Sequence, residues 1–428
     1  MTGLIGANAN RRLAFVSPVV DYARSRLNQY DIAFVGLADG SLDQGEDCPP
    51  ILAVIRDFCA SNPEVRQYRT DCPDGSDGLD DIVAELEQLA PDAVLYAYEY
   101  DIATADKLAI RLAPRFANDP ATASWREDKH AIDRCLRSAG LPAPAGVLFT
   151  LQGGLGQAEL DQLDPAVHNV VIKTPHFTSS PVWAAKEDVW LALATMRDDG
   201  RDLNEVLLCQ DAYFDYDADG LQQSYSIDGF ALEGQCYFVS VQRWHKIITA
   251  TGIDYCWAEQ LDVRASTYAD LLVHAGTVFS QLGLRNGFFH SDFTYSENGF
   301  ILFDLNPRLA GGSGVIDRFI AAQQGAGVVD EFVRVMYGDR IGSAPQSPPA
   351  SRLLSLYGLS LQDQQRVAAL ESVAEVVPFG ASHFVRFEHH DEQRMLTDVR
   401  YCLDAFTLPR YGVSVSQATS PATADSLP

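Results

Sequence analysis

The sequence is short of positive charge. It has 32 lysine and arginine residues against 58 aspartate and glutamate residues, a formal net charge of -26. A nucleic-acid or anionic-membrane partner would require a basic stripe, so the composition argues against both. Lysine is especially scarce, and because arginine is the default cation of this chain, each lysine is a candidate for a specific role. The lysines are Lys107, Lys129, Lys173, Lys186 and Lys246.

Long apolar runs and paired cysteines are also missing. No apolar run reaches the roughly 18 residues of a membrane span, and the segment MTGLIGANANRR has no stretch typical of a secretion signal. The eight cysteines form no CxxC pair and no zinc-like spacing, which favours reduced thiols and a cytoplasmic location. With 428 residues, 47% of them hydrophobic, the chain can bury a core and should form two to four domains.

Strand and helix patterns alternate in the first part of the chain. Residues 12–16, 31–37 and 92–97 are apolar runs typical of buried strands, and residues 78–89 have a helical pattern. We therefore predict a parallel α/β domain over residues 1–120. No G-x-G-x-x-G follows the first strand, so a dinucleotide site is not indicated.

The segment from Phe288 to Gly314 is the most informative part of the sequence. Asn298-Gly299 is a turn signal between two apolar runs. A hairpin centred on Asn298 places Asp292 opposite Asp304 and His290 opposite Asn306, all on one face. Opposed carboxylates repel each other, so a hard divalent cation with oxygen ligands would stabilise the pair. The alternative is a polar face exposed to solvent.

The residues after this hairpin favour metal and phosphate binding. Arg308 supplies a guanidinium two positions beyond Asn306, and Gly311 to Gly314 offer backbone amides that can approach an anion. The motifs His290-Ser291-Asp292 and Asp304-Leu305-Asn306-Pro307-Arg308 resemble the signature of the ATP-grasp superfamily, although both carboxylates are Asp where that family usually has Glu. The resemblance is strongest over residues 120 to 320.

The resemblance implies roles for these residues. Asp292, Asp304 and Asn306 would bind Mg²⁺, with Mn²⁺ as an alternative, and Arg308, Asp304 and Asn306 would form the catalytic group. Substrate contacts are expected from four residues, of which Glu259 would meet a substrate ammonium unless it is a solvated loop acid. The four residues are Glu259, His290, Gly311 and Gly312.

The same resemblance implies a nucleotide site. Lys129, at the start of a helix predicted from Trp125 to about Ser138, and Lys173, at the end of a strand, match positions that contact phosphates in the family. The alternative for Lys173 is a snorkelling side chain. Ser179 and Ser180 lie in the segment that corresponds to a mobile flap, here without glycine. The hinge that binds adenosine would be formed by Gln210, Asp211 and Tyr213.

The expected fold class is α/β, with an α+β central part and ATP-grasp architecture. Residues 121–205 and 206–340 would form the small and large lobes of a two-lobed ATP-binding region, the large lobe carrying the metal site. Residues 338–349 have linker composition, residues 352–415 would form a small C-terminal subdomain, and residues 416–428 a disordered tail.

The function expected from the resemblance is ligation of a carboxylate to an amine with cleavage of ATP to ADP and phosphate, most like the L-amino acid ligases that make dipeptides. The partners would be small molecules, and a homodimer is compatible with this reading. Two alternatives stay open: a ligase for a non-amino-acid substrate, and an inactive nucleotide-binding protein. Because opposed carboxylates repel, Asp304→Asn is expected to leave metal-free thermal stability equal or higher.

Overall fold

A computed structural model describes most of the chain. None of its described helices is long and apolar enough to cross a bilayer. The described residues are 12–16, 31–35, 66–68, 79–96, 102–114, 116–176, 181–216, 221–249, 252–296, 299–310, 315–338, 340–342, 349–379 and 382–407.

The N-terminal part contains a parallel sheet, as predicted. Its four described strands pair in the order β3-β2-β1-β4. The three apolar runs became β1, β2 and β4, whereas β3 was missed because three residues show no periodicity. The elements are β1 (Arg12–Val16), β2 (Asp31–Val35), β3 (Arg66–Tyr68), α1 (Leu79–Leu89), β4 (Ala93–Tyr96) and α2 (Ile102–Leu112).

The helix predicted from Trp125 to Ser138 is interrupted. Helix α3 (Ser124–Glu127) stops at Asp128, which has extended backbone angles and accepts hydrogen bonds from the N–H groups of His130 and Ala131. Asp128 is therefore the N-cap of α4 (Lys129–Ser138), and its carboxylate satisfies amides that lack partners within the helix. The Lys129 amide also bonds the carbonyl of Pro175 at 2.8 Å. The cap thus places Lys129 beside the end of the strand that carries Lys173.

An antiparallel sheet follows, in the order β5-β8-β6-β7. Side-chain alternation divides this sheet into two faces. Ile172 and Cys209 pack in the core on the side of α6, so Lys173 and Gln210 point to the other side. The elements are β5 (Gly146–Thr150), α5 (Gln157–Leu160), β6 (Asn169–Lys173), β7 (Val182–Ala185), α6 (Val189–Asp198) and β8 (Val206–Ala212).

The largest sheet has the order β14-β13-β10-β11-β12-β15-β17-β16, with β9 beside β10. Helix α7 packs on one face and α8 and α9 pack on the other. The elements are β9 (Asp215–Tyr216), β10 (Gln222–Leu232), β11 (Gln235–Thr249), β12 (Gly252–Leu261), α7 (Ala269–Gln281), β13 (Gly287–Ser296), β14 (Gly299–Asn306), α8 (Val315–Gln324) and α9 (Val328–Met336), followed by β15 (Ala350–Tyr357), α10 (Leu361–Ala368), β16 (Val373–Phe379), β17 (Ser382–His389) and α11 (Glu392–Cys402).

The C-terminal segment extends this sheet. Strand β15 pairs with β12, with Leu354 opposite Trp257 and Arg352 opposite Glu259. Helices α10 and α11 cover the continuation with their own apolar cluster. The segment predicted as a separate subdomain therefore shares backbone hydrogen bonds with the sheet of the predicted large lobe. The predicted tail at 416–428 lies outside the described residues.

One buried carboxyl group between α8 and α9 should make the stability of the protein depend on pH. Asp317 accepts the Val328 N–H at 2.7 Å, and burial, reinforced by Asp330 and Asp228, raises its pKa to about 7. The folded state therefore binds a proton that the unfolded chain releases near pH 4, so this contribution to stability is present below pH 4 and lost as the pH rises to 7. Between pH 5 and pH 8 this loss should lower the free energy of unfolding of the wild type by about 2 kcal/mol. Asp317→Asn should not show this decrease when both proteins are unfolded in urea at the two pH values. An equal pH dependence in both proteins would contradict this assignment.

Candidate active site

The hairpin of β13 and β14 has the register expected at its polar end. Asp292 lies opposite Asp304 and His290 lies opposite Asn306. The turn differs in detail, because Ser296 pairs with Gly299 and Phe303 forms a bulge that shifts the register by one residue. A shift of one residue exchanges the two faces of a strand. The bulge therefore returns Asp304 and Asn306 to the face that carries Asp292 and His290.

The two carboxylates are held by protein groups. The Lys129 Nζ lies 3.2 Å from Oδ1 of Asp304, and the Asn306 amide donates to Oδ2 of Asp304 at 3.0 Å. Arg308 donates to Oδ1 of Asn306 at 3.0 Å, which orients that amide. On the neighbouring strand β10, the Ser226 hydroxyl donates to Asp292. Asp304, Asn306 and Arg308 are thus linked by hydrogen bonds, and Asp292 lies opposite Asp304.

Lysine side chains supply positive charge beside the two opposed carboxylates, where the sequence alone predicts a metal ion. Lys173 donates to the carbonyl of Phe303 at 3.1 Å, and Lys246 lies 5.2 Å from the centre of the Phe303 ring. Burial alone would raise the pKa of Asp304, but Lys129 and Lys173 outweigh it and hold that pKa well below its ordinary value. Burial lowers the pKa of Lys173 and Lys246, and the carboxylates of Asp292 and Asp304 oppose this shift.

Lys246 was not predicted as a site residue. It lies in β11 opposite Gln222, on the same face of the sheet as Ser226 and Asp292, and is almost fully buried. The available signal was the scarcity of lysine combined with its place in the apolar segment 244–248, where a charged amine is costly without anionic neighbours. Lys129, Lys173 and Lys246 are called the lysine cluster below.

The donor set at the carboxylates fits a hard divalent cation. Two carboxylates and an amide oxygen are the ligand types that Mg²⁺ selects, and Asp304 is ionised, as a metal ligand must be. Within the described residues, no group of three or more His, Cys, Asp or Glu side chains is arranged to hold a metal. A cation here would therefore take only Asp292, Asp304 and Asn306 from the hairpin, with its remaining ligands from substrate or water.

His290 belongs to a buried polar chain beside the carboxylates. Its Nδ1 lies 2.8 Å from Oδ1 of Asp228, and Gln242 donates to Oδ2 of Asp228 at 3.1 Å. Burial lowers the pKa of His290, but the Asp228 carboxylate outweighs this and raises it overall. Asp228 is not among the residues predicted from the sequence. Its contact with His290 fixes the orientation of the imidazole ring.

Gln210 and Asp211 of the predicted hinge point to opposite faces of the small sheet. Gln210 shares the face of Lys173 and donates to Asp133 of α4, a buried carboxyl group whose pKa is raised by that burial. Asp211 points to the other face, where it pairs with Lys186 at 2.9 Å and accepts the Asp164 N–H at 2.9 Å. Because adjacent strand residues alternate, Asp211 lies on the opposite face of the sheet from Lys173, and its role at the hinge stays a prediction.

Glu259, predicted to contact substrate, is held by protein side chains. The row Glu259, Arg243, Tyr225, Phe293 runs across the sheet on the face that packs on α7, opposite to the face of Asp292. Glu259 accepts from Arg243 at 2.6 Å and lies 3.5 Å from Arg352. Burial would raise its pKa, but His245 and the two arginines lower it to about 2. Gln260, one position later, lies in the row of Asp292, Ser226 and Gln242.

Ser179, Ser180, Gly311 and Gly312 lie outside the described residues. Tyr213 follows β8 and is half-buried, and burial raises its pKa to about 12.

Comparison with known proteins supports the fold. No protein-family model and no curated protein matches the sequence. The structure is similar to that of an L-amino acid ligase from Bacillus licheniformis, with a TM-score of 0.65, 14% identity and coverage of 93% of this chain and 98% of that one. A carboxyaminoimidazole ribonucleotide synthase from Aspergillus clavatus, complexed with ATP, gives a TM-score of 0.63, 13% identity and coverage of 94% and 99%.

A phosphoribosylglycinamide synthetase from Anaerococcus prevotii is also similar, with a TM-score of 0.55, 10% identity and coverage of 93% and 98%. The chain adopts the ATP-grasp fold. At these identities the similarity establishes architecture, and the roles of individual residues depend on the geometry of the site.

Because Asp304 has cationic partners, we now expect Asp304→Asn to lower the metal-free stability, where the sequence alone predicts equal or higher stability. Removing this carboxylate leaves Lys129 and Lys173 with excess positive charge, a larger effect than the relief of Asp292. We expect a metal-free loss of roughly 1.5 to 3 kcal/mol, the size of a charge-assisted hydrogen bond, measured by thermal and urea unfolding in EDTA. Adding Lys129→Met should recover part of the loss. Unchanged or higher stability of Asp304→Asn would show that carboxylate repulsion dominates.

Proposed function

We propose that this protein is an ATP-dependent carboxylate-amine ligase that forms an amide bond through an acyl phosphate. The observation that carries the proposal is the convergence of the lysine cluster on Asp292 and Asp304 at the polar end of one hairpin. Although the chain is acidic, the lysine cluster lies where an ATP-grasp fold would bind a polyphosphate. The nucleotide would lie between the small sheet, which includes β8, and the large sheet that carries the hairpin.

Each group has a distinct task in this proposal. Lys129 and Lys173 bind the nucleotide phosphates, and Gln210 meets the adenosine end on the same face of the small sheet. Asp292, Asp304 and Asn306 would hold Mg²⁺, which when bound neutralises charge on the β- and γ-phosphates. Arg308, fixed through Asn306, stabilises charge on the transferred phosphoryl group.

The reaction has two steps. A carboxylate oxygen of the first substrate attacks the γ-phosphorus in line, the bond to the β-phosphate oxygen breaks, and ADP leaves. The acyl phosphate so formed has a good leaving group. The amine of the second substrate attacks the acyl carbon, loses a proton and expels phosphate. The amides of Gly311 and Gly312 are proposed to stabilise the oxyanion in this second step.

Two amino acids are the substrates that the likeness to L-amino acid ligases favours, giving a dipeptide. One observation favours a second candidate, a ligase acting on a non-amino-acid acid or amine. Glu259, the carboxylate expected to receive a substrate ammonium, lies on the opposite face and is already paired with two arginines. A screen with ATP, Mg²⁺ and pooled acids and amines, read by mass spectrometry, separates the two.

The proposed chemistry predicts the nucleotide products. Phosphate and ADP should form only when both a carboxylate and an amine substrate are present, because attack occurs at the γ-phosphorus. Phosphate assay and chromatography of the nucleotides measure this. Formation of AMP and pyrophosphate would exclude the proposed mechanism, and absence of all turnover in the screen would favour the inactive nucleotide-binding alternative.

Lys173 provides a test of nucleotide binding. Lys173→Met keeps most of the apolar stem and removes a charge-assisted contact worth about 1.5 to 3 kcal/mol, so ATP·Mg²⁺ affinity should fall roughly ten- to a hundred-fold by calorimetry. Lys186→Met is the matched control, because Lys186 pairs with Asp211 on the other face. An affinity of Lys173→Met within twofold of wild type would identify Lys173 as a snorkelling lysine.

A further inference from the structure

A chain of hydrogen bonds crosses the large sheet and ends at the candidate site. It begins at His290, whose Nδ1 lies 2.8 Å from Oδ1 of Asp228, and Gln242 donates to Oδ2 of Asp228 at 3.1 Å. The Gln242 amide also donates to the Ser240 hydroxyl at 3.2 Å, and Ser240 donates to Gln260 at 3.1 Å. The chain thus runs from β13 through β10 and β11 to β12.

The backbone is adapted in the middle of this chain. The register of β10 and β11 shifts directly after the pair of Asp228 and Ser240, because Val239 is an extra residue in β11. Glycine is required at position 229 beside this bulge, since a Cβ on Gly229 would collide with the carbonyl oxygen of Tyr237. Bulges beside active sites commonly change the direction of side chains. The close approach of the two strands thus fixes the position of Asp228 relative to Ser240.

Gln242 is held in an orientation that is unfavourable for its own oxygen. Its nitrogen donates to Asp228 and Ser240, while its side-chain oxygen is buried and has no hydrogen-bond partner among the described residues. A buried acceptor without a partner lowers stability. Turning the amide over would place that oxygen against the Asp228 carboxylate, which can only accept hydrogen bonds. The bond donated to Asp228 therefore determines how this amide is oriented.

The contact with Asp228 also fixes the His290 ring. Because a carboxylate can only accept, Nδ1 of His290 carries a proton that lies between the ring and Asp228. His290 makes no other hydrogen bond to the described residues, so Nε2 is the ring nitrogen that a ligand can meet. His290 lies opposite Asn306 on the face of Asp292, and its side chain is 12% exposed, which leaves it accessible from the site.

We propose that Asp228, Gln242 and Ser240 are positioning residues of the site, which together hold the His290 ring with Nε2 turned towards the bound substrate. The inference rests on the proposed function, because His290 is a substrate contact that the ATP-grasp resemblance implies. It adds residues as far as two strands away from His290 to the site. Each of them acts on the reaction through the orientation of His290.

A double-mutant cycle on the full chain tests this dependence. Gln242→Met keeps a similar side-chain volume and removes the donor, so kcat for amide formation should fall roughly ten-fold while the KM for ATP stays within about twofold. His290→Gln should lower kcat at least as much. Adding Gln242→Met to His290→Gln should have no further effect, because Gln242 acts through His290. Gln235→Met is the matched control, since Gln235 is exposed in the same strand.

Two kinetic results would overturn the inference. One is an unchanged kcat in Gln242→Met. The other is an equal loss from Gln242→Met in the wild type and in the His290→Gln background, which would show a general structural effect. If Gln242→Met does not fold, Ser240→Ala, which removes only a hydroxyl group, gives the same comparison with a smaller expected loss.

A spectroscopic measurement makes the test independent of turnover. An imidazole proton held by a carboxylate gives a nuclear magnetic resonance signal outside the amide region. With isotope-labelled histidine, wild type should show one such signal that His290→Gln lacks. Gln242→Met and Ser240→Ala should shift or broaden it, and Gln235→Met should not. An unchanged signal in both folded variants would overturn the positioning role, whereas absence of amide product from the wild type would reject the ligase separately.

Discussion

The structure of the candidate site depends on one pair of like charges. Asp292 and Asp304 face each other across an antiparallel hairpin, which is unfavourable unless cations lie nearby. Three elements meet this requirement: the capped start of α4, the end of β6 and the middle of β11. Because these elements belong to the small sheet, the large sheet and a helix, their contacts with the carboxylates also hold the small sheet against the large one.

A second constraint is the alternation of side chains in the sheets. Gln210 and Asp211 are neighbours in sequence, but only Gln210 shares the face of Lys173. Glu259 and Gln260 are divided in the same way, with Gln260 in the row of Asp292. In both cases the carboxylate is used in ion pairs on the face away from the hairpin, and the amide side chain is left on the face of the site. The proposed cleft therefore has fewer free anions than its sequence indicates.

Under the proposed function, an acidic protein has to attract an anionic ligand. A net charge of -26 opposes the approach of a nucleotide from a distance, but the effect is screened by salt beyond about 10 Å. Inside the site the lysine cluster dominates, since its charges are buried and close together. The cost of burying three ammonium groups is offset by Asp292 and Asp304, and under the proposed function by the phosphates.

The sequence by itself determined the local features: the N-terminal strands, the hairpin register and the common face of Asp292, Asp304 and Asn306. These follow from periodicity and short-range pairing, which one segment contains in full. Tertiary structure decided the rest. The cap at Asp128 divides a continuous helical pattern, and the register of β10, β11 and β12 sends Glu259 to the far face. Lys246 is brought to Asp292 by strands distant in sequence, and no local pattern encodes which lysine fills a site built by long-range pairing.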